Sequence, residues 1–296
     1  DLDLSPLLVR ADPEARVTYK PTHRNEVPAS LDEQILRDGE PFFARGEKMQ
    51  LDYHVRNVQR AIGTRASSHI VRKYGMDGLP EGRLWVTLEG SCGQSLGAFG
   101  VKGLTLEVIG DANDYVGKGL SGATIIIKPP SVAKYVAKDN TIIGNTVLYG
   151  ATSGKLFAAG QAGERFAVRN SGATVVVEGC GSNGCEYMTG GTAVILGAVG
   201  ENFGAGMTGG MAFLYDAKQR FEAMANPETI IWKPVVTDHW AKVLRDLVEE
   251  HVRRTGSLHA KTLLDNWQLE LRNFVHVVPK ESVARLAAPL ELKAAE

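Results

Sequence analysis

The stretch from Gly184 to Tyr215 reads GCEYMTGGTAVILGAVGENFGAGMTGGMAFLY, and the phrase Met-Thr-Gly-Gly followed by a short apolar run occurs in it twice. Seven glycines that precede such runs follow one another at intervals of 21, 19, 32, 18, 19 and 19 residues. They are Gly82, Gly103, Gly122, Gly154, Gly172, Gly191 and Gly210. The long interval contains KPPSVAKYVAKDN, residues 128–140, which we interpret as a loop inserted into a regular series.

This regular spacing predicts a repeat architecture. A strand-length apolar run at a fixed interval indicates that each repeat is one turn of a solenoid, since no single unit could bury its own apolar face. Nineteen residues suit one coil of a parallel β-helix and are too few for a helix-turn-helix repeat or a propeller blade. We therefore predict a mainly β fold, a single-stranded parallel β-helix of about seven coils, whose open end is capped by an α-helical C-terminal segment.

The same phase predicts which side chains face the core. Because side chains alternate along a strand, the third position after each glycine is expected to point inward. It is apolar in every coil: Trp85, Leu106, Ile125, Phe157, Val175, Val194 and Phe213. The fourth position should point outward, yet it is a large aliphatic residue in five coils: Val86, Ile126, Val176, Ile195 and Leu214. Such a stripe needs a cover, either the C-terminal helices of this chain or a partner domain.

Composition narrows the class of protein. The chain has 296 residues, with 33 Lys plus Arg against 34 Asp plus Glu, and this balance disfavours nucleic acid as a partner. No apolar run approaches the ~20 residues that span a bilayer, and DLDLSPLLVR at the N-terminus is not a signal peptide. Three sparse cysteines, Cys92, Cys180 and Cys185, favour a reducing compartment over a disulfide framework. We expect a cytoplasmic protein that has no membrane partner.

The chain divides into three predicted segments. Residues 1–62 form an N-terminal arm with a short helix from Leu31 to Arg37, begun by the capping box Ser30-Leu-Asp-Glu33, and a strand within residues 48–57. Residues 63–215 form the β-helix; Gly63 is a candidate start for a lead-in coil, although its following run is polar. Residues 216–296 form the cap, with a helix from Thr237-Asp238 to Gly256, a second helix from Ser257 and the strand FVHVVPK.

No constellation of residues predicts catalysis or metal binding on this segment. The histidines show no ligand spacing; they are His23, His54, His69, His239, His251, His259 and His276. The run GSCGQSLGAFG, residues 90–100, lacks the spacing and the following helix of a nucleophile elbow. Cys185 is expected to fill the core beside Val116, Leu148 and Phe166. Near the corners, Glu178, Glu186 and Glu201 form a possible acidic cluster, for which solvated charge is the default interpretation. We predict no catalytic, cofactor-binding or metal-binding residue.

The phrases CEYMTGG, GENFGAGMTGG and GSCGQSLGAFG resemble the C-terminal glycine-repeat domain of the glutamate synthase large subunit, as do EHVRRTGS and FVHVVPK further along. The resemblance spans residues 45–280 and implies a right-handed β-helix without catalytic residues. It further implies that the whole enzyme makes two L-glutamates from L-glutamine and 2-oxoglutarate, with electrons from NADPH, NADH or ferredoxin. The partners it implies are an amidotransferase domain, an FMN synthase domain that also holds an iron–sulfur cluster, and a small NADPH-oxidising flavoprotein subunit.

The chain is accordingly expected to be a structural and coupling domain, a rigid spacer between the amidotransferase and FMN synthase domains. One alternative is a free-standing β-helix enzyme of the acyltransferase or lyase type. Intervals of nineteen break the multiples of six that hexapeptide acyltransferases keep, and a lyase would place Asp, Lys and Arg on an outer face. A second alternative is the solenoid subunit of formylmethanofuran dehydrogenase, which the long C-terminal helical extension disfavours.

Overall fold

A computed structural model describes residues 2–15 and 29–291 of the chain. Residues 16–28 of the predicted N-terminal arm lie outside the described residues, and residues 2–15 are exposed. The helices are α1 (Leu31–Asp38), α2 (Glu40–Arg45), α3 (Thr64–Tyr74), α4 (Phe221–Met224), α5 (Asp238–Thr255), α6 (Leu258–Asp265) and α7 (Trp267–Glu270). The first seven strands are β1 (Met49–Val55), β2 (Leu84–Cys92), β3 (Leu104–Ala112), β4 (Ser121–Lys128), β5 (Thr141–Ile143), β6 (Ser153–Ala158) and β7 (Gln161–Ala162). The other five are β8 (Ser171–Val177), β9 (Thr189–Ile195), β10 (Gly209–Tyr215), β11 (Ile230–Pro234) and β12 (Phe274–Pro279).

These strands form one mixed α/β architecture, so the prediction of a parallel β-helix solenoid is wrong. The described strands make a single 12-stranded sheet in the order β1-β2-β3-β4-β6-β8-β9-β10-β12-β11, and the short β5 and β7 lie off this path. The sheet is not closed, because β1 and β11 stand at opposite ends of that order. The regular spacing of the glycines indicates that successive strands pair in parallel. It does not determine the path of the chain between one strand and the next. Nor does this spacing predict the helices between strands, such as α3 between β1 and β2.

The C-terminal segment extends the sheet with two more strands, so the predicted end cap of helices is also wrong. β12 pairs antiparallel with β10 and then with β11, and it thereby satisfies the hydrogen-bonding edge of the last parallel strand. The helices α5 and α6 pack on a face of the sheet. A strand edge needs backbone donors and acceptors, which another strand supplies directly and a helix does not.

Several local predictions agree with the structure. The helix from Leu31, the strand at Met49–Val55, the helix that ends before Gly256 and the strand from Phe274 all form close to the expected bounds. Ser30 makes no side-chain capping hydrogen bond, so the capping box is not formed. The segment after Gly63 folds as α3 and not as a lead-in coil. Here Asp32 accepts hydrogen bonds from the amides of Gly63, Arg65 and Ala66, and so caps α3 from a distant part of the chain.

The predicted inward column is only partly correct. Leu106, Ile125 and Val175 lie in the main core, and strand pairing aligns them with Val86, Leu156, Ala193 and Ala212. Phe157, Val194 and Phe213, predicted to point inward, instead lie on the opposite face of the sheet, and Trp85 is aligned with Thr105 and not with Leu106. The register slips where strands begin, for example between Ser121 and Thr124. A one-residue slip moves every following side chain to the other face, so counting from the glycine alone fails.

The division into residues 1–62, 63–215 and 216–296 stays a prediction. Within the described residues, no helix is both long enough and apolar enough to cross a membrane.

Candidate functional site

A second hydrophobic cluster joins the sheet to the C-terminal helices. One row of sheet side chains, Phe157, Val176, Val194 and Phe213, is fully buried on the face opposite the main core. Trp240, Leu244 and Val248 recur at helical spacing on α5 and pack against this row. Of the two predicted covers for an outward apolar stripe, the structure shows the C-terminal helices. The stripe itself differs from the prediction, since Val86, Ile195 and Leu214 belong to the main core.

Aromatic rings close one end of this cluster. The imidazole of His276 on β12 stacks on Phe213 at a centroid distance of 4.3 Å and lies 4.7 Å from the Trp240 ring. Trp240 Nε1 donates hydrogen bonds to the carbonyl oxygens of Ala288 and Pro289, at 3.2 and 3.1 Å. Because His276 is buried among rings, desolvation lowers its pKa to about 4.

Charged side chains hold the C-terminal part of α5 against the sheet. Lys155 Nζ on β6 donates to both carboxylate oxygens of Glu250, at 3.0 and 2.9 Å. Arg254, one turn further along α5, bridges Glu250 and Glu81, and Thr124 on β4 also donates to Glu81. Burial opposes ionisation of Glu250, but the hydrogen bonds from Lys155 and Arg254 prevail and lower its pKa. The network therefore sets the position of α5 along the strands.

A buried polar cluster lies where α5 gives way to α6. Glu178, directly after β8, is 2% exposed and accepts a short hydrogen bond from the Ser257 hydroxyl through Oε1. Ser257 caps α6 by accepting the Ala260 amide at 3.0 Å. His251 is fully buried, with Nε2 3.6 Å from Glu178 Oε1. Among the described residues, Glu178 Oε2 and both His251 ring nitrogens have no hydrogen-bond partner.

Sequence reasoning missed this polar cluster. The sequence predicts solvated corner charge at Glu178, Glu186 and Glu201, but Glu178 is buried and Glu186 pairs with Arg165 at 3.4 Å. The available signal was His251, which continues the apolar spacing of Leu244 and Val248 and therefore had to face the sheet. Within the part of the chain that the structure describes, no group of three or more His, Cys, Asp or Glu residues could hold a metal ion.

The three cysteines are buried, and the glycine-rich run after β2 forms turns. Cys92, Cys180 and Cys185 are free and buried, and burial raises the thiol pKa of Cys92 and of Cys180 to about 12. Cys185 lies in the main core together with Val116, Leu148 and Phe166, as predicted. In GSCGQSLGAFG the strand β2 ends at Cys92 and turns follow, so the strand-to-helix bend of a nucleophile elbow is not formed. Thiols with raised pKa are poor nucleophiles.

The turns at one side of the sheet carry exposed aromatic side chains in register. Backbone hydrogen bonds link Phe99 to Lys118, Gly119 to Tyr149 and Tyr187 to Ala205, so the turns stack. Phe99 and Tyr187 are 54% and 51% exposed, and Tyr149 is 36% exposed. The Arg169 guanidinium lies 5.7 Å from the centre of the Tyr187 ring. The three exposed rings and the arginine beside them form a surface that can contact another protein domain. We call this surface the aromatic row; its residues are Phe99, Tyr149, Arg169 and Tyr187.

Comparison with known proteins places this geometry in a wider context. A family model described as GXGXG motif matches residues 32–280. The NADPH glutamate synthase large chain of Azospirillum brasilense is 59% identical over 293 residues, which are 99% of this chain and 19% of that protein. The corresponding large chain of Bacillus subtilis is 44% identical over 296 residues, with 99% of this chain and 19% of that protein covered. The NADH glutamate synthase of Schizosaccharomyces pombe is 44% identical over 291 residues, which cover 96% of this chain and 14% of that protein. The chain spans a fifth or less of the length of these relatives.

Proposed function

The chain belongs to the GXGXG motif family, and from that membership we propose that it is a structural and coupling domain of a glutamate synthase. The observation that carries the proposal is that nearly the whole chain matches one segment of much longer glutamate synthase chains. Such an enzyme would convert L-glutamine, 2-oxoglutarate and reducing equivalents into two molecules of L-glutamate. In this proposal the chemistry belongs to other domains, and this segment contributes no catalytic residue.

The geometry supports a spacer in two ways. The sheet is packed on both faces along much of its length, by the main core on one side and by α5 and α6 on the other, so it resists bending. The aromatic row supplies an exposed surface on which a neighbouring domain can rest. We propose an amidotransferase domain and an FMN synthase domain with an iron–sulfur cluster as these neighbours. A small NADPH-oxidising flavoprotein subunit is proposed as an electron donor, and the cytoplasm as the compartment.

The test uses the full-length protein and the ratio of two activities. Phe99→Ser and Tyr187→Ser remove exposed rings without touching either hydrophobic core. We expect the double variant to hydrolyse more glutamine per glutamate formed, because misplaced domains let ammonia escape. Leu269→Ser is the matched control, since Leu269 is 62% exposed on α7, in another part of the molecule. If the double variant and the control keep the same ratio as the unaltered protein, the coupling role of this surface is wrong.

A further inference from the structure

The strand β1 stands at one end of the sheet, and its outer edge is unpaired among the described residues. β1 pairs in parallel with β2 over all seven of its residues, without a register shift. The amide of Met49 donates to the Arg83 carbonyl at 2.8 Å. In a parallel pair the backbone groups of alternate residues point to the same side, so Gln50, Asp52 and His54 direct their N–H and C=O groups away from β2. Within the described chain these groups have no hydrogen-bond partner.

This edge has neither of the backbone features that commonly blunt the end of a sheet. β1 contains no proline and no bulge, and Gln50, Asp52 and His54 are exposed. At the other end of the sheet, β11 is shorter and finishes in Pro234, which has no N–H group. A regular edge with free donors and acceptors is a template for one more strand. β1 is therefore the end of the sheet that is better suited to the addition of a strand.

The side chains of β1 match a second copy of β1 that runs antiparallel to the first. With a two-fold axis through Tyr53, Asp52 of each copy lies opposite His54 of the other copy, and the two residues exchange both backbone hydrogen bonds. His54 Nδ1 lies 3.3 Å from Glu89 Oε2, which leaves Nε2 to donate to the Asp52 carboxylate of the second copy. Such a hydrogen bond is charge-assisted, and directly opposed residues of a sheet are close enough to form it.

The neighbouring registers lack this match. An axis through Asp52 would place the two Asp52 carboxylates opposite each other, and like charges in direct opposition destabilise a sheet. An axis through Leu51 would place Asp52 opposite Gln50, which is uncharged. On the other face of the strand, the axis through Tyr53 brings the two Tyr53 side chains together and places Leu51 opposite Val55. Because Tyr53 and Leu51 are only half-buried in the single copy, this register also removes apolar surface from water.

From this self-complementarity we propose that the free edge of β1 binds β1 of a second copy of the chain, antiparallel and with a two-fold axis through Tyr53. The sheets of the two copies then continue into each other across the axis. A two-fold contact closes on itself, so it produces a dimer and not a fibre. The interface uses no residue of the aromatic row and does not depend on the role proposed above for that row.

Disulfide trapping in the full-length protein tests this register directly. The two copies of Tyr53 form a non-hydrogen-bonded pair with Cα atoms about 4.5 Å apart, a distance that a disulfide spans. Tyr53→Cys should therefore form a disulfide between copies on mild oxidation, identified by mass spectrometry of the linked peptides. Leu51→Cys is the matched control on the same face, because its two copies lie about 14 Å apart in this register. Its yield of linked protein should be at least about tenfold lower.

A second pair of variants guards against a folding defect at Tyr53, whose hydroxyl donates to Asp38. Asp52→Cys and His54→Cys alter only exposed side chains. In either variant alone the two thiols lie on a diagonal, with Cα atoms more than about 7 Å apart, which is too far for a disulfide. When the two variants are co-expressed, the substituted positions face each other across the interface. The mixed disulfide should then form at least about tenfold faster than a disulfide in either variant alone.

Formation of the mixed disulfide supports the proposal. The proposal is overturned if the co-expressed variants link no faster than either variant alone, or if a folded Tyr53→Cys protein gives no more linked product than Leu51→Cys. A strand of another domain lying along β1 would prevent both links and so give these negative results. The readout is a covalent bond between copies and not the ratio of glutamine hydrolysed to glutamate formed, so failure of this interface and failure of the coupling role are distinguishable.

Discussion

At the scale of single residues, Gly191 shows how a missing side chain lets the neighbouring strands β8 and β9 come close together. Its φ is +85°, and a Cβ would lie 2.8 Å from Asn170 Nδ2 and against the backbone of Ala173. Asn170 is fully buried, and its side chain bonds the amide and the carbonyl of Ala173 at 2.9 Å each. A residue larger than glycine here therefore disturbs a satisfied buried amide as well as adopting an unfavourable backbone conformation.

A matched pair of glycine substitutions separates these two effects. Gly82 has a similar φ of +73° but no atom within 4 Å of its Cβ position. We expect Gly82→Ala to lower the free energy of unfolding by about 1–2 kcal/mol, the cost of a left-handed backbone. Gly191→Ala should lower it by at least about 3 kcal/mol, because overpacking is added. Urea denaturation measures both, and equal losses would show that close approach contributes nothing at Gly191.

The buried imidazole of His276 predicts a dependence of stability on pH. Its pKa of about 4 in the folded protein lies below the ordinary value of about 6.5 expected in the unfolded chain. The unfolded state therefore binds the proton more readily, and stability that is fully present above about pH 6.5 is lost as the pH falls towards 4. The loss approaches about 3 kcal/mol at the acid end.

Substitution of the histidine isolates this contribution. His276→Phe keeps a ring beside Phe213 and Trp240 but cannot be protonated. The difference in unfolding free energy between pH 7.5 and pH 4.5 should be smaller in His276→Phe than in the unaltered protein. His54→Gln is the control, because the His54 side chain is 90% exposed. An unchanged pH difference in His276→Phe would contradict the assignment.

At the scale of elements, α5 decides the stability of the second hydrophobic cluster. Leu244 is fully buried and belongs to this cluster together with the sheet row and residues of α6. We expect Leu244→Ala to lower the free energy of unfolding by about 2–5 kcal/mol, because it leaves a cavity that the rigid sheet cannot fill. Lys242→Ala, on the exposed face of α5, should change it by less than about 0.5 kcal/mol. Similar losses in the two variants would mean that α5 is not held by its apolar face.

The elements also show where sequence reasoning succeeds and where it fails. Helix α5 was predictable because Thr237 and Gly256 mark its ends and its apolar residues keep one period. The sequence did not allow us to predict which side chains of β6, β9 and β10 point to which face of the sheet. The strand pairing shifts by one residue at the strand starts, and the spacing of the glycines does not show these shifts. For the buried polar cluster, the helical position of His251 could be predicted, but the nearby Glu178 follows a strand that is far away in the sequence.

At the scale of the whole molecule, the segment after Tyr215 completes both the edge and the face of the sheet. Deleting residues 216–296 would leave the edge of β10 unpaired and the row from Phe157 to Phe213 uncovered. We expect the truncated chain to aggregate or to bind the dye ANS strongly, because open edges and large apolar patches promote association. Deleting residues 1–15 is the control, since residues 2–15 are exposed. A soluble, cooperatively unfolding chain of residues 1–215 would contradict this expectation.

The sheet order itself was beyond reach of the glycine interval. That interval identified parallel neighbours correctly, as the pairings of β3 with β4 and of β9 with β10 show. A repeat of local strand pairings is compatible with more than one path of the whole chain. The spacing of the glycines is therefore sufficient to predict the pairing and insufficient to predict a solenoid. The antiparallel partners β11 and β12 follow no repeat, and only their tertiary contacts place them.

The position of β12 between β10 and β11 also constrains the order in which the chain can fold. β11 precedes β12 in sequence, yet in the sheet it is joined to β10 through β12. Neither β10 nor β11 can complete its pairing here until β12 has been made. During synthesis at roughly 5–20 residues per second, the edge of β10 stays open for several seconds until residues 274–279 emerge. During that time the unpaired backbone groups of β10 are open to pairing with strands of other chains.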